Sequence, residues 1–183
     1  MKKFLKALAV LACAVALVAG SVAATLAYLT DTDKVVNTFT VGKVDITLDE
    51  AKVTLYGVKD GESRVQANAY KLIPGKTYLK DPTITVTPDS EACYLFFKLD
   101  NGLGDAVTFN IDTNKWKQMG ETNVYYYTEV VTGGSYGAFS EFSVAQNAVI
   151  GDPTGKNITV TAYAVQADGF ANATAAWDAA NFA

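Results

Sequence analysis

The chain has 183 residues, half of them hydrophobic, with 15 basic against 19 acidic side chains and a net charge of −4. That acidic balance argues against a nucleic-acid partner, whose phosphates need Lys and Arg to neutralise them. The length suits one domain plus a targeting segment, and the complete absence of histidine removes the commonest general base and the commonest zinc ligand.

Residues 1–27 read as an export signal. Lys2, Lys3 and Lys6 form a basic start, Ala7 to Ala19 is an unbroken apolar run, and small residues follow Gly20 and Ser21. Thr25 and Ala27 fit a cut before Tyr28; Ala23 and Ala24 satisfy the small-residue rule as well. An uncleaved anchor is the alternative, since Ala7 to Leu29 is long enough to span a bilayer, but its second half is poor in large apolar residues. Removing 1–27 takes the basic count from 15 to 12 against 19 acids, a net charge of −7, as expected for a self-repelling exported protein. It also removes Cys13, leaving Cys93 as a lone thiol without a disulfide partner. Cys93 lies in the apolar run Ala92 to Phe97 with no basic neighbour, so it reads as a small core hydrophobe and not a nucleophile.

Beyond the signal, a Thr/Asp patch from Thr30 to Asp33 gives way to strand patterns. Phe39 and Val41 share one face; Val44, Ile46 and Leu48 then alternate with charged and polar residues. The parity flips across Gly42, as at a bulge or bend. Val53 and Leu55 form a second short run, ended by Gly57 and an Asp60-Gly61 turn signal. Pro74-Gly75 marks a type II turn. Thr83 to Thr87 alternates cleanly between Asp81-Pro82 and Pro88-Asp89. Tyr94 to Leu99 is apolar on both faces and reads as a central strand buried twice. Val107, Phe109 and Ile111 alternate, Val124 to Val131 is a tyrosine-rich strand, and Phe142 and Val144 alternate again. Asp152 to Gly155 is a turn, and Ile158 to Val165 is the best strand of the C-terminal half. One helix is expected from Asn172 to Ala180, capped by Asn172, favoured by its alanines and anchored by Trp177. About eight to ten short strands with Gly, Pro and Asp turns mean an all-β antiparallel sandwich. Its residues 38–183 follow a 28–37 linker and the 1–27 signal.

No constellation for catalysis is visible. Without histidine there is no H-E-x-x-H, and the serines Ser63, Ser90, Ser135, Ser140 and Ser143 stand in no nucleophile motif. The Gly133 to Gly137 segment follows no phosphate-binding pattern and reads as a mobile hairpin loop. Asp31 and Asp33 are weak calcium candidates that lack the glycine and distal glutamate of an EF-hand. The triplets at Asn157 and Asn172 match a glycosylation acceptor that is common by chance. Tyr125 to Tyr127 alternates faces, so it reads as core plus rim. The chain is therefore expected not to be an enzyme and to need no cofactor.

Two segments carry a family resemblance. Ala27-Tyr28-Leu29-Thr30-Asp31-Thr32-Asp33 followed by Asn37 to Ile46, and Ala162 to Phe170 near the C-terminus, resemble the TasA/camelysin family of Gram-positive exported proteins. The resemblance selects Ala27–Tyr28 as the cut, made by a SipW-type signal peptidase, and implies a jelly-roll form of the sandwich. It also implies secretion to the biofilm matrix or cell surface, and head-to-tail fibres built by donor-strand complementation. The donor would be Tyr28 to about Phe39, with Tyr28, Leu29, Val35, Val36 and Phe39 as anchors and the chain itself as principal partner. Other matrix proteins or the cell wall are further partners on this reading. The alternative is a monomeric surface or accessory protein that binds a fibre subunit or a cell-wall glycan. Camelysin has been described as a metalloprotease, but that activity does not carry over to a chain without histidine.

Overall fold

A computed structural model describes residues 43–149 and 155–182. The Phe39–Val41 strand pattern, the parity change at Gly42 and most of the Asp152–Gly155 turn lie outside these residues. Eleven strands are described: β1 (Ile46–Val53), β2 (Lys59–Val65), β3 (Thr77–Leu79), β4 (Thr83–Val86), β5 (Cys93–Asn101), β6 (Val107–Phe109), β7 (Trp116–Gln118), β8 (Val124–Tyr127), β9 (Gly134–Gly137), β10 (Glu141–Val144) and β11 (Ile158–Gln166). The helix α1 (Ala173–Ala180) follows. Two four-stranded sheets, in the orders β2-β1-β4-β9 and β11-β5-β8-β7, and a three-stranded sheet β3-β10-β6 account for all of them. Every strand pairing is antiparallel. The architecture is the all-β sandwich with one short C-terminal helix that the strand pattern predicts. No described helix is long and apolar enough to cross a membrane.

The period of two decides which side chains meet. On β4, Ile84 and Val86 point inward and are almost wholly buried, while Thr83 and Thr85 point outward. On β5, Cys93, Leu95, Phe97 and Leu99 face the same core, which Trp116, Val131, Ala138 and Phe139 fill. Phe96 points the other way and is also fully buried, under the ring of Trp177 at 5.0 Å. The apolar run is thus explained by a sheet below and a helix above. Tyr163 and Phe182 close the helix side around Trp177, with ring centroids at 5.3 and 5.1 Å. Asn172 caps α1 by accepting the Ala175 N–H at 2.9 Å, and Asn181 ends it in the left-handed conformation. A second cluster gathers Tyr78, Val107, Phe142 and Val144, with Tyr78 and Phe142 stacked at 5.1 Å.

Four local expectations are corrected. Val53 ends β1 and does not start a new run with Leu55; Leu55 is exposed in the turn Thr54 to Gly57, where Gly57 is left-handed (φ 71°) and its N–H donates to Thr54 O. Asp60-Gly61 is not that turn. It lies within β2, where the register steps from Ala51↔Arg64 to Val53↔Lys59, so extra residues of β2 bulge around Gly61 (φ 77°). Gly133 to Gly137 is not a hairpin loop: Gly134–Gly137 is strand β9, paired with β4, because Tyr136 packs beside Tyr127 while Ser135 shares a hydroxyl hydrogen bond with Thr85. The tyrosine strand is also shorter than its pattern: β8 stops at Tyr127, and Val131 returns only to bridge Cys93. Tyr125 stacks on Phe97 and Tyr127 meets Trp116 edge-on, which leaves Tyr126 for the opposite face.

Candidate assembly interface

One flank of the sandwich is less finished than the rest. The β2 strand pairs only with the Glu50–Val53 half of β1. The Ile46–Asp49 half has β4 on one side and, among the described residues, no strand on the other. Across the sandwich from it, β11 pairs with β5 and, among the described residues, is the last strand of its sheet. These two strands lie side by side at this flank. Ile46 and Leu48 from β1, and Val160, Ala162 and Ala164 from β11, pack against the main core yet stay only partly buried. Ile84 and Leu95, one strand further in, are 0 % exposed.

The chemistry of the β11 edge is unusual. It runs nine residues, ITVTAYAVQ, with no charge, proline or glycine. Edge strands normally carry charges, prolines or bulges that stop another chain from adding to them, because their unpaired N–H and C=O groups are a template for pairing. The other edges are shorter or interrupted: β2 is charged and bulged, β9 is half glycine, and β3, β6 and β7 are three residues each. The near end of β1 is held in place by a clasp. Ser90 Oγ donates to Asp45 O and accepts the Asp45 N–H, while the N–H groups of Thr87 and Glu91 donate to Asp45 O and Lys43 O. The β1 edge is therefore a fixed rail.

The residues expected to donate, Tyr28, Leu29, Val35, Val36 and Phe39, lie outside the described residues. So do the cut at Ala27–Tyr28 and the calcium candidates Asp31 and Asp33. Cys93 is fully buried, and burial pushes its thiol up, away from the nucleophilic thiolate. Four of the serines have structural partners: Ser90 in the clasp, Ser135 on Thr85, Ser143 on Thr77, and Ser140 accepting from the Asn110 amide. Asn172 is occupied with its helix cap. Among the described residues, no three His, Cys, Asp or Glu side chains converge in a way that could hold a metal ion.

At the far ends of β5 and β11 lies an open polar cleft of about 680 Å³, lined by Asp100, Asn101, Asn123, Lys156, Asn157 and Thr159 among others. Asn123 donates to the Asp100 carboxylate at 2.7 Å. Neither the cleft nor the unfinished flank is announced by a motif, because both arise from which strands end up as neighbours. No family model, curated protein or solved structure matches the chain.

Proposed function

We propose that the protein is a secreted structural subunit of cell-surface or biofilm-matrix fibres, and that it assembles head to tail through its processed N-terminus. The observation that carries this reading is the long uncharged edge of β11 beside the half-covered side chains of β1. An extended segment entering that flank would pair with the free backbone groups, and its alternate side chains would cover Leu48, Val160 and Ala162. The segment between the cut and the sandwich has the required composition. Tyr28, Leu29, Val35, Val36 and Phe39 supply apolar anchors around the polar stretch Thr30 to Lys34. Because the giving and receiving surfaces differ, the contact is heterologous and propagates as a filament. The free end exists only after the peptidase acts, so processing is the switch for assembly. The resemblance to the TasA/camelysin family supports the same mechanism.

Residues 28–183 are expected to form filaments visible by electron microscopy, and a chain lacking 28–37 is expected to stay monomeric. Filaments from both would remove the donor role. The second reading, a monomeric accessory protein for a cell-wall glycan, is favoured by the polar cleft around Asp100 and Asn123, whose amides and carboxylate suit sugar hydroxyls. Size-exclusion chromatography of residues 28–183 separates the two: a stable monomer at high concentration supports the accessory protein.

A further inference from the structure

Glu50 and Lys80 are the two most deeply buried charged residues among those described, 4 % and 8 % exposed. Lys80 follows β3 directly, and its Nζ donates to Glu50 Oε2 at 2.5 Å. The other oxygen of that carboxylate is also taken. Asn68, in the connection between β2 and β3, donates from Nδ2 to Glu50 Oε1 at 2.9 Å. The same amide is held at two further points: Nδ2 donates to Ala51 O, and Oδ1 accepts the Val53 N–H at 3.0 Å. Tyr70 stands over the group, its hydroxyl donating to Leu79 O and its ring edge-on to Tyr78 and Phe142. Burial first, and then the nearby charges of Glu50 and Asp81, hold its phenol above the ordinary value. A primary amine and a primary amide thus share one carboxylate beside an aromatic wall.

We propose that Lys80 and Asn68 become joined by an intramolecular amide bond once the chain has folded, with Glu50 carrying the protons. The carboxylate takes a proton from Nζ through Oε2, which frees the nitrogen lone pair. Nζ attacks Cγ of Asn68; the C–N bond forms, and the carbonyl electron pair moves onto Oδ1. The Val53 N–H already points at that oxygen and stabilises its negative charge, as an oxyanion donor does. The carboxyl group of Glu50 turns to present the proton it took and delivers it to Nδ2, the Cγ–Nδ2 bond breaks, and the carbonyl reforms as the added nitrogen passes its second proton to the departing ammonia. Lysine ammonium plus asparagine amide become a secondary amide plus ammonium. Atoms and charge balance, and no oxidant or outside reagent is needed.

The surroundings favour this outcome. A fixed, partly desolvated amine and amide react at a high effective concentration. Asn68 is only half-buried, which leaves ammonia a way out. The product staples the β2–β3 connection, which carries Tyr70 and Leu72 of the second cluster, to the residue that directly follows β3. The proposal is independent of the assembly reading.

Mass spectrometry of the purified, denatured wild-type protein tests it. The chain is expected to be lighter than its sequence by one ammonia. Trypsin is expected to leave Lys80 uncut and to release the peptide of residues 65–71 linked to that of residues 77–98. The Asn68→Ala and Glu50→Gln variants are expected to show full mass and cleavage at Lys80. A wild-type chain of full mass with Lys80 cleaved overturns the proposal. So does loss of ammonia without the linked pair, or an Asn68 hydrolysed to aspartate.

Discussion

Replacing Trp116 by alanine is expected to destabilise the fold by about 3–5 kcal/mol, the cost of emptying a large aromatic site in a core. Trp116 is 1 % exposed, although it lies on a three-residue edge strand with Lys115 and Lys117 on either side. Its ring meets Phe97 at 4.8 Å and Tyr127 at 5.1 Å, both edge-on, so it joins β5 and β8 within one sheet. Its Nε1–H donates to Gly137 O at 2.8 Å, which ties that sheet to β9 of the opposite one. Alanine leaves a cavity on one side and a carbonyl without its donor on the other. Phenylalanine restores part of the volume and none of the hydrogen bond, so it should fall between wild type and alanine. Urea denaturation checks the order, read from the midpoints at constant slope. An alanine variant within about 1 kcal/mol of wild type would mean that Trp116 is not the post between the sheets.

The second large effect is expected at Lys80. Lys80→Met leaves the Glu50 carboxylate buried with only the Asn68 amide still donating to it. Where Lys80 is still an ammonium, stripping the buried Glu50 charge of that partner costs about 3–5 kcal/mol; where the Lys80–Asn68 bond has formed, the substitution removes the staple instead. The exposed pairs of the molecule, such as Lys59–Glu62 with the glutamate 91 % exposed, are in the class worth under about 1 kcal/mol. Adding Glu50→Gln to Lys80→Met removes the orphaned charge and is expected to recover a large part of the loss, so the two substitutions should be strongly non-additive. The comparison uses the same denaturation midpoints. If the double variant is no better than Lys80→Met, the damage lies in the lost link between Lys80 and Asn68 and not in the stranded charge.

Much of the sandwich is legible in the chain because its pattern is local. Ile84 and Val86 alternate with threonines, the Cys93–Leu99 run is apolar on both faces, and Asn172 precedes a run of alanines with Trp177 at its centre. Each becomes the element its periodicity predicts. What is not legible depends on long-range pairing. Gly134 to Gly137 lacks strand propensity and becomes β9 because β4 and the Tyr127 ring receive it. Asp60-Gly61 has the composition of a turn, but β1 holds both sides of it in register and turns it into a bulge. Trp116 is one apolar residue in a three-residue strand, too short to show a period. Glu50, Asn68 and Lys80 are 18 and 30 residues apart as polar types that ordinarily face water, so no spacing rule unites them. At the candidate interface, the sequence shows the alternation of β1 and the apolar content of β11. That β11 ends its sheet beside the half of β1 that has, among the described residues, a strand on just one side follows from the strand order.

In the proposed fibre, the freed N-terminal tail of one molecule fills the flank between β1 and β11 of another. The most direct measurement uses residues 28–183 carrying a photo-crosslinking residue in place of Val36, prepared in light and heavy isotope forms and mixed before assembly. Crosslinked peptides should join the tail to β1 or β11, and adducts of mixed isotope should be abundant. Adducts that always pair light with light and heavy with heavy would place the tail in its own sandwich and contradict the account.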